Sequence, residues 1–291
     1  MFSLKLQSRH YGIFYILLAA FFFSCGNMFV RLAGDVPTIQ KSFFRNFIAM
    51  LVSGFILLRE GRGFRPGSRK NWPCLFARAF FGTVGLLCNF YAVDHLLLSD
   101  ASMLNKMSPF FAVLASFILL REKVKPAQSF ALVGAFIGAL FIIKPSFGNM
   151  ELGASVIGFI GGAAAGIAYT FVRLLGQRGE CSSFIVFFFS LFSCLITVPY
   201  MLMFGKPMTC LQILYLIGTG VSAAAGQFSI TAAYRRAPAR EITVFDYSQV
   251  IIAAILGYLV FGDIPDGYSI LGYIIICSMS LLNFWYNNRK D

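Results

Sequence analysis

Apolar stretches of about 20 residues recur along this sequence, and they constrain its fold more than any other feature. A helix needs roughly that length of mainly apolar residues to cross a bilayer. Ten spans are expected: Tyr11–Val30, Ile39–Leu58, Trp72–Val93, Leu97–Leu120, Pro126–Ile143, Leu152–Val172, Ser182–Phe204, Cys210–Ala233, Glu241–Phe261 and Gly267–Tyr286. Charged residues make up only 12% of the chain, about half the share in a soluble domain. The sequence therefore predicts an all-α, multi-pass integral membrane protein with no soluble domain.

The positions of Lys and Arg predict how these spans are oriented, because cytoplasmic loops have the positive excess. If both termini are cytoplasmic, 17 of the 24 Lys and Arg residues lie in inner segments and four in outer segments. The other three, Arg45, Arg78 and Lys106, lie within spans. An extra or missing span would reverse the charge bias in every loop that follows it. The pattern thus predicts ten spans in the cytoplasmic (inner) membrane, and it explains the net charge of +12 without nucleic-acid binding.

Two halves of the sequence repeat each other. The tetrapeptide FVRL occurs at Phe29–Leu32 and again at Phe171–Leu174, and Ala92–Glu122 aligns without gaps to Ala233–Asp263. The similarity is low, but acidic, hydroxyl and amide positions match along the alignment.

An internal repeat of five spans has a mechanical consequence. Because five is odd, the second copy must enter the membrane from the opposite side, which gives two inverted repeats, 1–145 and 146–291. Transporters built from such repeats bind their substrate near the bilayer midplane, where the repeats meet. The sequence therefore predicts a central cavity at this interface.

Three segments resemble EamA-like members of the drug/metabolite transporter superfamily: Phe44–Ala49 in span 2, Ser108–Pro145 over spans 4 and 5, and Ser248–Ile276 over spans 9 and 10. The resemblance covers essentially the whole chain. It implies a cavity lined by spans 1, 3, 4, 6, 8 and 9, with spans 5 and 10 outside, and it implies export or uptake of small metabolites. Family members usually have an acidic residue just after spans 4 and 9, and here these are Glu122 and Asp263.

Lys106 is the most informative polar residue within a span. It lies near the middle of span 4, where a charge costs about 2.5–3.5 kcal/mol on insertion scales. Pro109 follows three residues later and cannot donate a hydrogen bond to the carbonyl of Asn105, so it predicts a hinge there. Two interpretations stay open: Lys106 contacts an anionic group of the substrate, or it forms a structural ion pair.

Asp246 is the expected partner of Lys106. It occupies the repeat position of Asn105, and Tyr247 occupies that of Lys106, so the two-fold axis of the repeat brings these positions together. Gln249 lies on the same helix face as Asp246. We expect a pair that a substrate or a proton can break; a solvated position of Asp246 at the cytoplasmic mouth is the alternative.

Other polar residues within spans are weaker candidates for substrate contacts. Each could instead bond a neighbouring helix. They are Arg45, Asn27, Asn89, Tyr169 and Gln227. Arg78 is assigned as an anchor near the inner surface. Gly158, Gly162 and Gly166, at four-residue spacing in span 6, predict close helix packing, either static or sliding.

The residues favour a secondary transporter over other classes of membrane protein. The sequence contains neither of the catalytic motifs HExxH and GxSxG, so an intramembrane enzyme is the remote alternative. The two histidines, His10 and His95, cannot build a metal site alone, and no cofactor or metal is expected. A sensor or scaffold would usually need an output domain. Lys106 with Asp246 favours an amino-acid-like or other carboxylate-bearing solute; a purely anionic metabolite or a drug-type exporter are the alternatives. The expected partners are the small-molecule substrate, the lipid bilayer and a coupling proton, in a monomer or a homodimer.

Overall fold

The computed structural model describes residues 2–61, 63–120, 126–143, 152–236 and 243–288, and these residues form helices and short connections without a β-strand. The helices are α1 (Phe2–Leu32), α2 (Thr38–Arg59), α3 (Trp72–His95), α4 (Leu98–Asn105), α5 (Ser108–Leu120), α6 (Pro126–Ile143), α7 (Leu152–Gln177), α8 (Ser182–Phe204), α9 (Cys210–Arg236), α10 (Ser248–Phe261) and α11 (Gly267–Asn288). Two 3-10 helices, Arg69–Asn71 and Thr243–Tyr247, lie directly before α3 and α10.

The lengths of these helices match the thickness of a membrane. In the described residues, seven helical stretches are long and apolar enough to cross a bilayer, with α4 and α5 counted together as one. Three shorter apolar helices accompany them, at Ser129–Ile143, Phe245–Phe261 and Gly267–Leu282. The prediction of an all-α membrane protein is confirmed.

The polarity of the bundle is reversed relative to a soluble protein. Leu202 and Leu259 are 78% and 71% exposed, whereas Lys41 and Asn46 are fully buried. Lys41, counted above with the outer segments, lies inside α2, and its Nζ is 2.5 Å from Oδ1 of Asp94 on α3. Lipid therefore faces apolar side chains, while polar groups find partners between helices.

The most extensive helix contacts join the first half of the chain to the second. The pairs are α1 with α9, α3 with α7, α2 with α8, and α6 with α11. Within α6 and α11, Gly138 and Gly272 lie at a close crossing, since a Cβ on Gly272 would be 2.7 Å from the carbonyl oxygen of Gly138. Each half of the chain therefore packs mainly against the other.

Span 4 is broken into two helices, three residues before the expected hinge. The chain leaves the α-helix at Lys106 and Met107, where the amide of Met107 donates to the carbonyl of Leu104, three residues back, at 3.1 Å. Pro109 is the second residue of α5, where a missing amide hydrogen costs little. The proline cannot satisfy the carbonyl of Asn105, so the break precedes it.

Glycines of α7 pack directly against this break. A Cβ on Gly162 would collide with the carbonyl oxygen of Leu104, and a Cβ on Gly166 would lie 2.5 Å from that of Ser108. Backbone atoms cannot rotate away as a side chain does. The glycine spacing predicted close packing, and the partner of that packing is the broken part of span 4.

We predict that Gly162→Ala lowers the stability of the protein by about 1–3 kcal/mol, because the added methyl group overpacks a backbone contact. The measurement is the thermal unfolding midpoint of purified protein in detergent. Gly153→Ala is the matched control on the same helix, since a Cβ there meets no atom within 4 Å. Its midpoint should stay the same or rise, as alanine favours a helix over glycine by about 1 kcal/mol. Equal midpoints for both variants would contradict the packing described here.

Candidate functional site

The break in span 4 meets the 3-10 helix before α10. Nζ of Lys106 lies 2.5 Å from Oδ2 of Asp246, and the hydroxyl of Tyr247 donates to the carbonyl oxygen of Lys106 at 3.1 Å. Lys106 and Tyr247 are both buried, with 6% of each residue exposed. The structure thus brings together the residues that the repeat places in register, and the tyrosine satisfies a carbonyl that the helix break releases.

This ion pair is neutral overall but incompletely hydrogen-bonded. The side chains of Lys106 and Asp246 are 7% and 14% exposed. Oδ1 of Asp246 is buried and has no hydrogen-bond partner within the described residues, and the same holds for the hydroxyls of Ser102 on α4 and Ser248 on α10. Buried polar atoms normally find partners, so these three are available to a polar ligand.

Four further candidates lie around the pair or on adjoining helices. Asn105 is half-buried at the end of α4, and Gln249 is buried in the first turn of α10, where its backbone carbonyl accepts a hydrogen bond from Ser24 of α1 at 3.0 Å. Asn89 of α3 donates to Oδ1 of Asn27 on α1 across 3.5 Å. Its own Oδ1 is buried without a partner in the part of the chain that the structure describes.

Arg45 and Arg78 lie against the same aromatic ring, and the assignment of Arg78 as a surface anchor was wrong. Arg78 is only 7% exposed, and its Cζ is 4.3 Å from the ring centre of Phe189; Cζ of Arg45 is 5.8 Å from it. Depth along a helix does not say which way a side chain points. A usable signal was the pair of glycines that follow on the same face of α3, Gly82 and Gly85, which indicate a packed face.

Tyr169 of α7 is 47% exposed, yet its charged neighbours are interior residues. Arg45, Arg78 and Asp246 are all within electrostatic range of its hydroxyl. The hydroxyl of Tyr169 is therefore near both the two arginines and the Lys106–Asp246 pair.

A cavity of about 750 Å³ opens between α2, α8 and α9. Ala49 and Ser53 of α2 line it, with Val186 of α8 and Gln227 of α9. Gln227 lines this cavity, but the Lys106–Asp246 pair is not among the residues that line it.

At the end of α10, Asp263 ties three helices together. Its Oδ2 accepts hydrogen bonds from the guanidinium of Arg31 on α1 and, at 3.2 Å, from the backbone amide of Leu98 on α4. Cζ of Arg31 also lies 4.4 Å above the ring of Phe261. Asp263, one of the two acidic family positions, therefore closes one end of the bundle; the other, Glu122, lies outside the described residues.

The side chains of this interior suit the binding of a charged solute. They include an ion pair, amides, hydroxyls and two arginines, enclosed by apolar helices. Within the ranges that the structure describes, no group of three His, Cys, Asp or Glu residues is placed to ligate a metal ion.

Comparison with known proteins identifies the family. One related protein is the pseudopaline exporter CntI of Pseudomonas aeruginosa strain UCBPP-PA14, which is 32% identical over 91% of this chain and 93% of the exporter. Another is a riboflavin transporter of Vibrio cholerae, which is 29% identical over 96% of this chain and 95% of the transporter. Human solute carrier family 35 member G1 is 26% identical over 96% of this chain and 81% of its own length.

The fold has also been seen in a crystal structure. A solved chain that is 16% identical superimposes with a TM-score of 0.64, over 96% of this chain and 98% of the other. The EamA-like transporter family matches residues 10–144 and, a second time, residues 152–285. The chain belongs to the EamA-like transporter family of the drug/metabolite transporter superfamily, and it is a multi-pass transporter of the cytoplasmic membrane rather than an enzyme.

Proposed function

We propose that this protein is a secondary transporter that moves a small, carboxylate-bearing metabolite, such as an amino-acid-like solute, by alternating access. The binding site is the interface of the two repeats around Lys106 and Asp246. The observation that carries the proposal is the 2.5 Å ion pair where the broken span 4 meets the 3-10 helix before α10. Substrate sites of transporters with inverted repeats have this construction.

The proposed architecture has ten spans in two inverted repeats, 1–145 and 146–291, with both termini cytoplasmic. Three observations support it. The family matches the chain twice, at 10–144 and 152–285. Equivalent helices make equivalent contacts across the two halves: α1 of the first half packs on α9 of the second, and α7 of the second half packs on α3 of the first. Seven long and three shorter apolar helices in the described residues fit ten spans.

A zwitterionic solute can replace both partners of the ion pair. Its carboxylate would bond Lys106, and its amine would bond Asp246, whose Oδ1 has no partner within the described part of the chain. Opening the pair without such replacement leaves a buried charge uncompensated, which is strongly unfavourable. Protonation of Asp246 is the second way to open the pair, and we propose that this residue accepts the coupling proton.

The two ends of the bundle differ. In the proposed topology, the Asp263 cluster with Arg31 and Leu98 closes the outer end of α1, α4 and α10. The cavity beside Gln227 lies towards the inner end, because it reaches Glu60 and Glu180 next to cytoplasmic loops. This asymmetry supports an inward-facing conformation.

A purely anionic metabolite is the second candidate substrate. The observation that favours it is the surplus of positive charge at Arg45 and Arg78, beside a Lys106 that Asp246 already neutralises. A lipophilic cation fits this interior poorly, because both arginines would repel it.

We predict that native cysteines report opposite sides of the membrane. Cys210, exposed at the start of α9, should react with an impermeant maleimide from outside intact cells, and Cys181, between α7 and α8, should react only from the cytoplasmic side. The measurement is labelling of single-cysteine variants in cells and in inverted vesicles. The buried Cys194 is the unreactive control. Labelling of both sites from one side would rule out this topology.

We predict that Asp246→Asn and Lys106→Gln each lower the free energy of unfolding by about 2–4 kcal/mol, because each leaves one buried charge unpaired. The double variant should be more stable than either single variant, since it removes both charges. Thermal unfolding of the four proteins in one detergent measures this coupling.

A contrary result would be a double variant whose loss equals the sum of the single losses, since the two side chains would then act independently. Transport by Asp246→Asn in liposomes tests the coupling proton: a pH dependence equal to that of the wild type would remove Asp246 from that role.

We predict that a metabolite screen by thermal shift finds a carboxylate-bearing ligand that stabilises the wild type but not Lys106→Ala, because the ligand loses its cationic contact. A labelled sample of that ligand should enter proteoliposomes and be recovered from them chemically unchanged. The proposed site would be wrong if a transported ligand stabilised the wild type and Lys106→Ala equally.

A further inference from the structure

Arg45 and Arg78 differ from the other buried or half-buried cations of the described residues in having no carboxylate partner. Arg31 pairs with Asp263, Lys41 pairs with Asp94 and Lys106 pairs with Asp246. Arg45 has one neutral acceptor, Oδ1 of Asn46 at 2.8 Å. Among the hydrogen bonds and ion pairs of the described chain, none engages Arg78, and its Nε is buried without a partner.

The two guanidinium groups are also close to each other. Their Cζ atoms lie 5.8 Å and 4.3 Å from the ring centre of Phe189, and each side chain repels the other electrostatically. The ring face offers only partial compensation for two charges. Two like charges with 9% and 7% exposure are unfavourable inside a membrane protein unless an anion joins them.

The fold makes room for this arrangement. A Cβ on Gly82, one turn after Arg78 on α3, would overlap Nη1 of Arg78 and lie 3.0 Å from the ring of Phe189. Glycine at this position therefore lets the guanidinium lie flat along α3 and against the aromatic ring.

A tyrosine and a cavity lie on two sides of the arginines. Tyr169, nearly half exposed, lies within electrostatic range of both. On the other side, the cavity is lined by Ala49 of α2 and Val186 of α8, one helical turn from Arg45 and Phe189. An anion that enters this cavity would be one helical turn from Arg45.

We propose that Arg45 and Arg78, flanked by Tyr169, form an oxyanion subsite that binds a carboxylate or phosphate group of the transported solute. Two uncompensated positive charges match two negative charges on the part of the solute that binds here, in one phosphate or in two carboxylates. Guanidinium forks suit such oxygens because they donate two parallel hydrogen bonds. This inference rests on the proposed transport function, and it adds a second contact region to the Lys106–Asp246 pair.

The test uses the full-length protein in nanodiscs of zwitterionic lipid, at constant ionic strength, with inorganic phosphate and succinate as dianionic probes. Acetate and chloride are the monoanionic controls. We expect the dianions to raise the unfolding midpoint of the wild type more than the monoanions do. Arg45→Gln and Arg78→Gln should bind the dianions about tenfold or more weakly by calorimetry, since each removes a charged hydrogen bond.

Arg59→Gln, at the exposed end of α2, removes the same charge and should respond like the wild type. Gly82→Ala keeps every charge but displaces Arg78, and it should weaken dianion binding too. Without a ligand, Arg78→Gln should unfold at the same or a higher temperature than the wild type, because it removes an unpaired buried charge. A purely structural arginine would instead make the variant less stable.

Three outcomes would overturn the subsite: a wild type that does not distinguish dianions from monoanions, arginine variants that bind dianions like the wild type, or a marked loss of stability without ligand in Arg78→Gln and in Arg78→Lys. Lys106→Gln separates this inference from the proposed central site. If Lys106→Gln transports like the wild type while the arginine variants lose dianion binding, the Lys106 site fails and the oxyanion subsite stands.

Discussion

The contact between Lys106 and Asp246 holds the centre of this bundle together. A lone ammonium group at this depth would be costly, and so would the carbonyl released by the helix break beside it. One short segment from the other half of the chain satisfies both, because Asp246 pairs with the ammonium and Tyr247 bonds the carbonyl. The glycines of α7 then pack on the backbone on either side of the break, at Leu104 and Ser108. Separation of Lys106 from Asp246 would therefore disturb the packing of α4, α5, α7 and α10 together.

Compensation of charge divides the buried cations into two groups. Lys41, Arg31 and Lys106 each bond a carboxylate on another element, so they connect helices. Arg45 and Arg78 share the ring of Phe189 and have no carboxylate partner within the described residues; Arg45 alone bonds a neutral amide, that of Asn46. The ion pairs hold the bundle together, whereas in the proposed subsite the two arginines obtain their negative partner from the solute.

Much of the site followed from the repeat in the sequence. Aligning the halves put Asn105 opposite Asp246, and the structure has Lys106 and Asp246 in contact, as expected for equivalent positions of a repeat. Pro109 correctly indicated a break in span 4. Arg78 was misjudged because counting residues from a helix end gives depth in the membrane, but not the direction of the side chain about the helix axis. Phe189, a phenylalanine in a run of apolar residues, gave no signal at all.

The sequence by itself determined that the chain lies in a membrane, that it is helical, which family it belongs to, and that a charge lies at mid-span. Hydropathy, loop charge and repeat register can all be read from the sequence because they are local or additive properties. The tertiary structure decided which charges are neutralised. Lys106 and Asp246 are 140 residues apart, and Arg45, Arg78 and Phe189 come from three helices. Such contacts depend on how each helix is rotated against its neighbours, and that rotation is set by packing across both halves of the chain.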